Sequence, residues 1–279
     1  MTQNFTMHSH TTFSDGKSSL SEMVEQAKKI GFSKIGISDH LIIHKNIDKS
    51  PSWEMMSSKP DAHIYKKDFK SALPEFQKHC DELRNFSEKA KFKILIGFEV
   101  DFFTYDGWLD EMKEFLSHLD YDYLISGNHF LFTDNCEIIY NIHKNIADFA
   151  DNEQIKNLVS NHFKTIKKSA ESGLFKFVAH IDYVRKMGNQ YCQPHDFAGE
   201  KAALIKSLKE NNTGTEISTK GLRKIGDYYP APEILRQIAA EGVKVIISDD
   251  AHRTTELGYD FDKAEQELQK YGIINRITE

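Results

Sequence analysis

Along this chain, short β-branched or aromatic runs alternate with longer stretches whose apolar residues recur at helical spacing. The short runs are Phe5–Met7, Lys34–Ser38, Ile94–Phe98, Tyr123–Ser126, Phe175–Ala179, Thr215–Ser218 and Lys244–Ser248, and each leads into a polar turn. Runs of this length and composition predict strands. Between the first two, Leu20, Met23, Val24, Ala27 and Ile30 fall on one helical face. Ser19 precedes that face with Glu22 three residues later, a capping-box spacing, and Gly31 follows as a stop. Phe76, Cys80, Leu83 and Ala90 mark a second helix. Phe197, Leu204, Ile205 and Leu208 mark a third, and Ile234, Leu235 and Ile238 after Pro232 mark a fourth.

Strands that alternate with helices predict a parallel α/β sheet, because a parallel connection needs a crossover and a helix supplies it. Seven such strands suit a distorted (β/α)7 TIM-like barrel. No repeat, low-complexity tract or Pro/Gly/Ser linker divides the chain, so one domain over 1–279 is expected. Two connections are long, 41–70 after the second strand and 130–152 after the fourth. Loops of that length act as lids or carry short structure of their own, and both leave the same ends of their strands.

The composition narrows the function classes. Charged residues make up 28% and the hydrophobic set 39% of 279 residues, a globular balance with enough apolar mass for a core. The net charge of −6, with no long Lys/Arg block, argues against a nucleic-acid or anionic-membrane partner. No apolar run approaches the ~18 residues of a spanning helix, and the start of the chain lacks the basic-then-apolar pattern of a secretory signal. A cytoplasmic protein is the expectation. Three distant cysteines, Cys80, Cys136 and Cys192, fit reduced thiols rather than a disulfide or zinc–thiolate framework. Histidine is in excess, 13 residues against six arginines.

The excess is informative through its placement. His8, Ser9 and His10 follow the first strand, with Asp15 and Gly16 shortly after. Asp39 and His40 follow the second, Glu99 the third, His129 the fourth and His180 the fifth, and Asp249, Asp250, Ala251 and His252 close the last. Each motif alone has an ordinary explanation. With 13 histidines in 279 positions, about 0.6 H-x-H pairs arise by chance; Asp15 before Gly16 is equally a turn start, and a single histidine is commonly a partly buried packing residue. Six strands ending in His, Asp or Glu are harder to dismiss together. The C-terminal strand ends of a parallel barrel share one face, so these groups converge. Imidazole and carboxylate side chains on alternate positions of an extended segment can grip one ion. His44 is a further candidate for the pocket wall, whereas His63, His79, His118, His143, His162 and His195 are expected at the solvated surface.

The ordered motifs H-x-H-T-x-x-S-D-G, S-D-H, G-x-E, a strand-end His, A-H-I-D and S-D-D-A-H resemble the polymerase and histidinol phosphatase (PHP) superfamily. Within it the chain is most similar to the histidinol-phosphate phosphatase branch, from His8 through Leu257-Gly258. The resemblance implies a PHP-type barrel with three divalent metal ions (zinc, iron or manganese) at its C-terminal face. His8, His10, Glu99 and Asp250 would hold the first ion. Glu99 would bridge to the second, completed by His129 and His180, and Asp15, His40 and His252 would hold the third. The segment Ser126-Gly127-Asn128-His129 departs from the Ser-Val-His type expected there. Arg185 and Arg223 resemble the branch's phosphate-contacting arginines, which suits a guanidinium fork; Arg253 is a third candidate.

The implied reaction is metal-assisted hydrolysis of a small phosphomonoester, L-histidinol phosphate, in histidine biosynthesis, by in-line attack of water without a covalent intermediate. Asp250, His252 or water at the ions would protonate the leaving alkoxide. The acidic long loops (Glu54, Asp61, Asp106) are candidates for recognising the imidazole and amine. Competing readings are a PHP phosphoesterase for another small ester or nucleotide, a related amidohydrolase barrel, which would want a strand-end lysine where this chain offers Glu99, and a non-catalytic metal-binding module.

Overall fold

The computed structural model describes residues 3–133, 138–193 and 196–278. All seven expected strands form: β1 (Phe5–Thr6), β2 (Lys34–Ile37), β3 (Lys93–Val100), β4 (Tyr123–Ser126), β5 (Phe177–Val178), β6 (Gly214–Ser218) and β7 (Val245–Ser248). They pair in chain order, every pair parallel, from Phe5 opposite Lys34 round to Ser218 opposite Ser248. A parallel bridge of Ser9 with Ala251 nearly closes the ring at one end of the seam. At the other end the Gln3 side-chain amide does the work of a strand. Its Nε2 donates to the Ile247 carbonyl at 2.7 Å and its Oε1 accepts from the Ile247 N–H at 3.1 Å.

The outer helices are α1 (Leu20–Lys29), α2 (Phe69–Ala90), α3 (Trp108–Ser117), α4 (Asn152–Glu171), α5 (Ala198–Glu210), α6 (Pro232–Glu241) and α7 (Phe261–Lys270). The capping box on α1 forms as the sequence predicts, and α4 carries a second one from Asp151 and Gln154. No helix among the described residues is long and apolar enough to cross a membrane. Both long connections carry structure. The first holds the strands His40–Ile43 and Tyr65–Lys66 with short helical turns between them, and the second an antiparallel pair, Phe130–Phe132 with Ile139–Asn141.

Apolar residues fill the barrel interior. Phe5, Met7, Tyr123, Ile125, Phe177, Ala179, Ile246 and Ile277 form one buried cluster inside the ring. Tyr123 lies across it and donates to the Met7 carbonyl at 2.8 Å. Glycine is required beside it: a Cβ on Gly97 would meet the Tyr123 ring carbons at 2.6 and 2.7 Å. Gly97→Ala is therefore expected to cost about 2–3 kcal/mol through overpacking, seen as a Tm lower by roughly 5 °C; an unchanged melting curve would remove Tyr123 from this position.

The thiols Cys80 and Cys192 are buried and free, as the reduced reading requires, while Cys136 and His195 lie outside the described residues. Two histidines expected at the surface are instead buried. His79 stacks on Phe13 with ring centroids 3.6 Å apart, and His162 sits on the apolar face of α4.

Candidate metal centre

At the C-terminal ends of the strands the chain leaves extended geometry abruptly. Asn128, His180 and Asp250 all have positive φ, at 56°, 24° and 46°. Such backbone is costly for residues other than glycine and persists where the surroundings enforce it. The turn at Asp249–Asp250 separates the two carboxylates. Asp249 accepts from Thr6 Oγ1 at 2.9 Å and the Gly258 N–H at 2.7 Å, whereas Asp250 comes within 3.5 Å of His8 and His10.

Glu99, on β3, is the hub. Its Oε1 lies 3.0 Å from His180 Nε2, 3.3 Å from His8 Nε2 and 3.5 Å from His129 Nε2. Its Oε2 lies 3.1 Å from His40 Nδ1 and 3.4 Å from His10 Nε2. Asp15 Oδ1 is 3.4 Å from His40 Nε2, and Asp15 Oδ2 is 3.1 Å from His252 Nε2. All nine residues expected from the sequence thus stand in one cluster.

Their grouping by possible ligand atoms overlaps the expected one without matching it. His10, Asp15, His40 and His252 form one set, His8, His10 and Glu99 a second, His40, Glu99 and His129 a third, and His8, His180 and Asp250 a fourth. His180 therefore groups with Asp250, and His129 with His40, instead of with each other.

A second layer of carboxylates and carbonyls behind the histidines was not anticipated. Glu216 Oε2 is 2.9 Å from His8 Nδ1, and its Oε1 accepts the His180 backbone N–H at 2.9 Å. Asp101 accepts the His129 backbone N–H and lies 3.0 Å from its Nδ1. The Asp250 carbonyl is 3.0 Å from His252 Nδ1. Partners of this kind fix the ring and leave its far nitrogen aimed inward. Asp39 accepts from Thr11 N, Thr11 Oγ1 and Ser14 Oγ at 2.6–2.7 Å and meets His79 at 3.1 Å, which holds the loop carrying His10 to Asp15.

Burial and mutual attraction set the charge states. Burial raises Glu99, but His129, His8 and His40 outweigh it and hold the carboxyl well below its usual range. Burial lowers His8, yet Asp250, Glu216 and Glu99 carry it well above the ordinary value. His10 is pressed down to about 4 by burial and by His252 and His40.

The chemistry of this donor set fits metal ions. His8 Nε2, His10 Nε2, His40 Nδ1, His180 Nδ1, Asp15 Oδ1, Glu99 Oε2 and Asp250 Oδ1 are buried without a hydrogen-bond partner, while Asp250 Oδ2 meets Lys220 Nζ at 2.7 Å. Stranding that many polar atoms is expensive unless something binds them. Nitrogen and carboxylate donors without thiolate suit zinc, iron or manganese.

The cavity above the cluster is lined by Asp15, His40, His129 and His252, and by Lys59, Asp61, Tyr65, Tyr183, Lys186 and Lys220. Asp61 is the acidic loop residue that reaches it; Glu54 and Asp106 are exposed elsewhere. His44 packs between Phe103 and Tyr105 and does not line it. The arginines are not among the lining residues of this cavity, although Arg223 reaches the Asp250 carbonyl at 3.5 Å and keeps Nε and Nη1 buried without a hydrogen-bond partner. Arg185 donates to Asp227 at 2.6 Å and to the Tyr228 carbonyl at 2.7 Å, Arg223 donates to the Asp249 carbonyl at 2.7 Å, and Arg253 is exposed beside Glu256. A larger cavity, about 510 Å³, opens at the opposite end of the barrel between Gln3, Phe5 and Ile277, away from every group of possible metal ligands found among the described residues.

A "Probable histidinol-phosphatase" of Deinococcus radiodurans is 24% identical over 257 residues, 90% of this chain and 86% of that protein. One of the same name from Thermotoga maritima is 23% identical and covers 96% of this chain and 92% of its own length. The crystal structure of a histidinol phosphate phosphatase from Lactococcus lactis, in complex with zinc, L-histidinol and phosphate, superposes with a TM-score of 0.71 at 15% identity, covering 99% of this chain and 96% of that one. The PHP domain model matches residues 6–220, which hold seven of the nine clustered side chains, and the chain belongs to the PHP domain family.

Proposed function

We propose that this protein is a metal-dependent phosphoric monoester hydrolase that releases phosphate from L-histidinol phosphate, acting as a single domain over residues 1–279. The observation that carries the reading is the convergence of nine His, Asp and Glu side chains, seven of which have a buried polar atom without a hydrogen-bond partner. The names of the two curated relatives, and the zinc, histidinol and phosphate in the Lactococcus lactis structure, support the substrate.

The resemblance to the family implies three divalent ions, divided among His8, His10, Glu99 and Asp250, then Glu99, His129 and His180, then Asp15, His40 and His252, while the ligand atoms as they stand group His180 with Asp250 and His129 with His40. Such ions supply Lewis acidity and water activated near neutral pH. The chain's own part is to hold this charge rigidly. Glu99 contacts five imidazoles at once, so it sets the spacing of the whole centre. Glu216 and Asp101 orient His8 and His129. Asp250 is fully buried beneath the cluster, while His252 lines the cavity. Asp61 and Tyr65, from the first long connection, face the same space and suit a substrate amine and ring.

The test is phosphate release after chelation and addition of zinc, iron or manganese. L-Histidinol phosphate is expected to exceed p-nitrophenyl phosphate in kcat/KM by roughly 100-fold, the discrimination that hydrogen bonds to a polar substrate supply. Equal rates on the two esters would withdraw the substrate and keep the chemistry; no release from either by the metal-loaded protein would withdraw both.

A further inference from the structure

His10 begins the loop that carries Asp15, and this loop winds round the buried Asp39 carboxylate. Asp39 Oδ1 accepts from the Thr11 N–H at 2.7 Å and from Ser14 Oγ at 2.6 Å, and Oδ2 accepts from Thr11 Oγ1 at 2.7 Å. All three donors belong to the loop. The fourth contact comes from outside it, where His79 Nε2 of α2 lies 3.1 Å from Asp39 Oδ2. The same imidazole stacks on Phe13, with ring centroids 3.6 Å apart and planes 5° from parallel, and Phe13 meets Phe76 of α2 edge-on at 5.4 Å. One helix therefore grips the loop twice, through the carboxylate at its centre and through its phenylalanine. Asp39 also precedes His40, so the group that the loop winds round is attached to a second expected ligand.

We propose that His79 is a positioning residue of the metal centre: acting through Asp39 and Phe13, it fixes the place of Asp15 and so governs the ion held by Asp15, His40 and His252. The inference rests on the metal-dependent reading above and adds to it a residue outside the ligand set. Asp15 is the carboxylate most in need of support. Its side chain is 21% exposed, against 1% for Glu99 and 0% for Asp250, and it stands on a loop whereas Glu99 is fixed within β3. His40 Nε2 at 3.4 Å and His252 Nε2 at 3.1 Å approach it from other strand ends, so the set of ligand atoms closes only where the loop is held. The loop is stiff. The Ser14 and Gly16 N–H groups both donate to the Thr11 carbonyl, at 3.1 and 3.0 Å, and a Cβ on Gly16 would lie 2.6 Å from that oxygen. A shift at the Thr11–Asp39 anchor is therefore carried to Asp15 and not absorbed on the way. His10 has an anchor of its own, its N–H donating to the Ala251 carbonyl at 2.8 Å, so the effect falls on one ion and not on all. Groups that orient metal ligands from behind are worth roughly 10- to 100-fold in metal affinity.

The experiment titrates zinc into the metal-free full chain and counts bound ions by equilibrium dialysis. In His79→Leu, which fills the space without a donor, one ion is expected to bind roughly 10- to 100-fold more weakly while the others keep their affinity. His79→Gln, which offers an N–H donor again, should recover most of the loss. Asp15→Asn weakens the same ion directly, so in that background His79→Leu should add less than about threefold, because the two substitutions act on one interaction. A residue that only packs the core behaves differently. Equal weakening of every ion, no weakening of any, or the full loss repeated in the Asp15→Asn background would each overturn the proposal. Phe13 is half-buried, so Phe13→Leu reports even if His79→Leu does not fold. It should weaken the same ion at least about threefold, the worth of one lost contact, and unchanged zinc binding in it would equally overturn the proposal. Failure of the broader reading has another signature: a wild-type chain that takes up zinc with this dependence on His79 and hydrolyses no monoester.

Discussion

Glu99→Gln is expected to abolish turnover, lowering kcat/KM by about 10³-fold or more, the equivalent of several kcal/mol of transition-state charge stabilisation. The substitution keeps the shape of the side chain and removes its charge. It also puts an NH2 donor where five imidazole nitrogens lie within 3.5 Å of the two carboxylate oxygens. Those nitrogens must present lone pairs to bind ions, and an amide at the hub can neither share two ions nor offset their charge. Metal analysis should show at least one ion lost per chain, while circular dichroism stays that of the wild type, because the strands around Glu99 are fixed by backbone pairing with Tyr123–Ser126 and Lys34–Ile37. Near-normal activity with full metal content would refute the shared-carboxylate centre.

Removing the ions altogether should have the largest effect on stability. A ligand present at 1,000 times its Kd stabilises the folded state by about 4 kcal/mol, and three such sites contribute together. Without ions the centre retains seven buried polar atoms with no hydrogen-bond partner. Prolonged chelation is therefore expected to eliminate phosphatase activity and lower Tm by roughly 10 °C or more, both restored by adding back the correct metal. A melting temperature indifferent to chelator and metal would mean that these side chains do not serve ions.

Much of this centre was legible in the sequence because a parallel barrel gathers its strand ends. His8, His10, His40, Glu99, His129, His180, Asp250 and His252 each close a strand or follow it by a few residues, so knowing where the strands stop nearly suffices to find them. The residues behind them carried a weaker signal. Asp101 lies two positions beyond Glu99 on one extended segment, and Glu216 sits inside β6, where a buried carboxylate needs a partner. Either could have been found by asking what neutralises it. His79 and His162 were misplaced although the spacing was present: Phe76, His79, Cys80 and Leu83 follow one helical face, as do Leu158, Val159, His162, Phe163 and Ile166. The lysines that line the cavity were not legible at all. Arg185 and Lys186 are neighbours in sequence, and only the tight turn Tyr183–Met187 decides that the second faces the cavity and the first faces Asp227.

The tyrosine laid across the barrel interior has a kinetic consequence. Tyr123, with Met7, Phe177 and Ile246 around it, closes the space beneath the ligands with packed apolar side chains. Substrate and both products of the proposed reaction would then pass through the cavity lined by Lys59, Asp61 and Lys186. A phosphate held at the bottom cannot leave ahead of an alcohol standing in front of it. For the proposed reaction, release is therefore expected to be ordered, alcohol first and phosphate last, with phosphate the product that competes with substrate for the free enzyme.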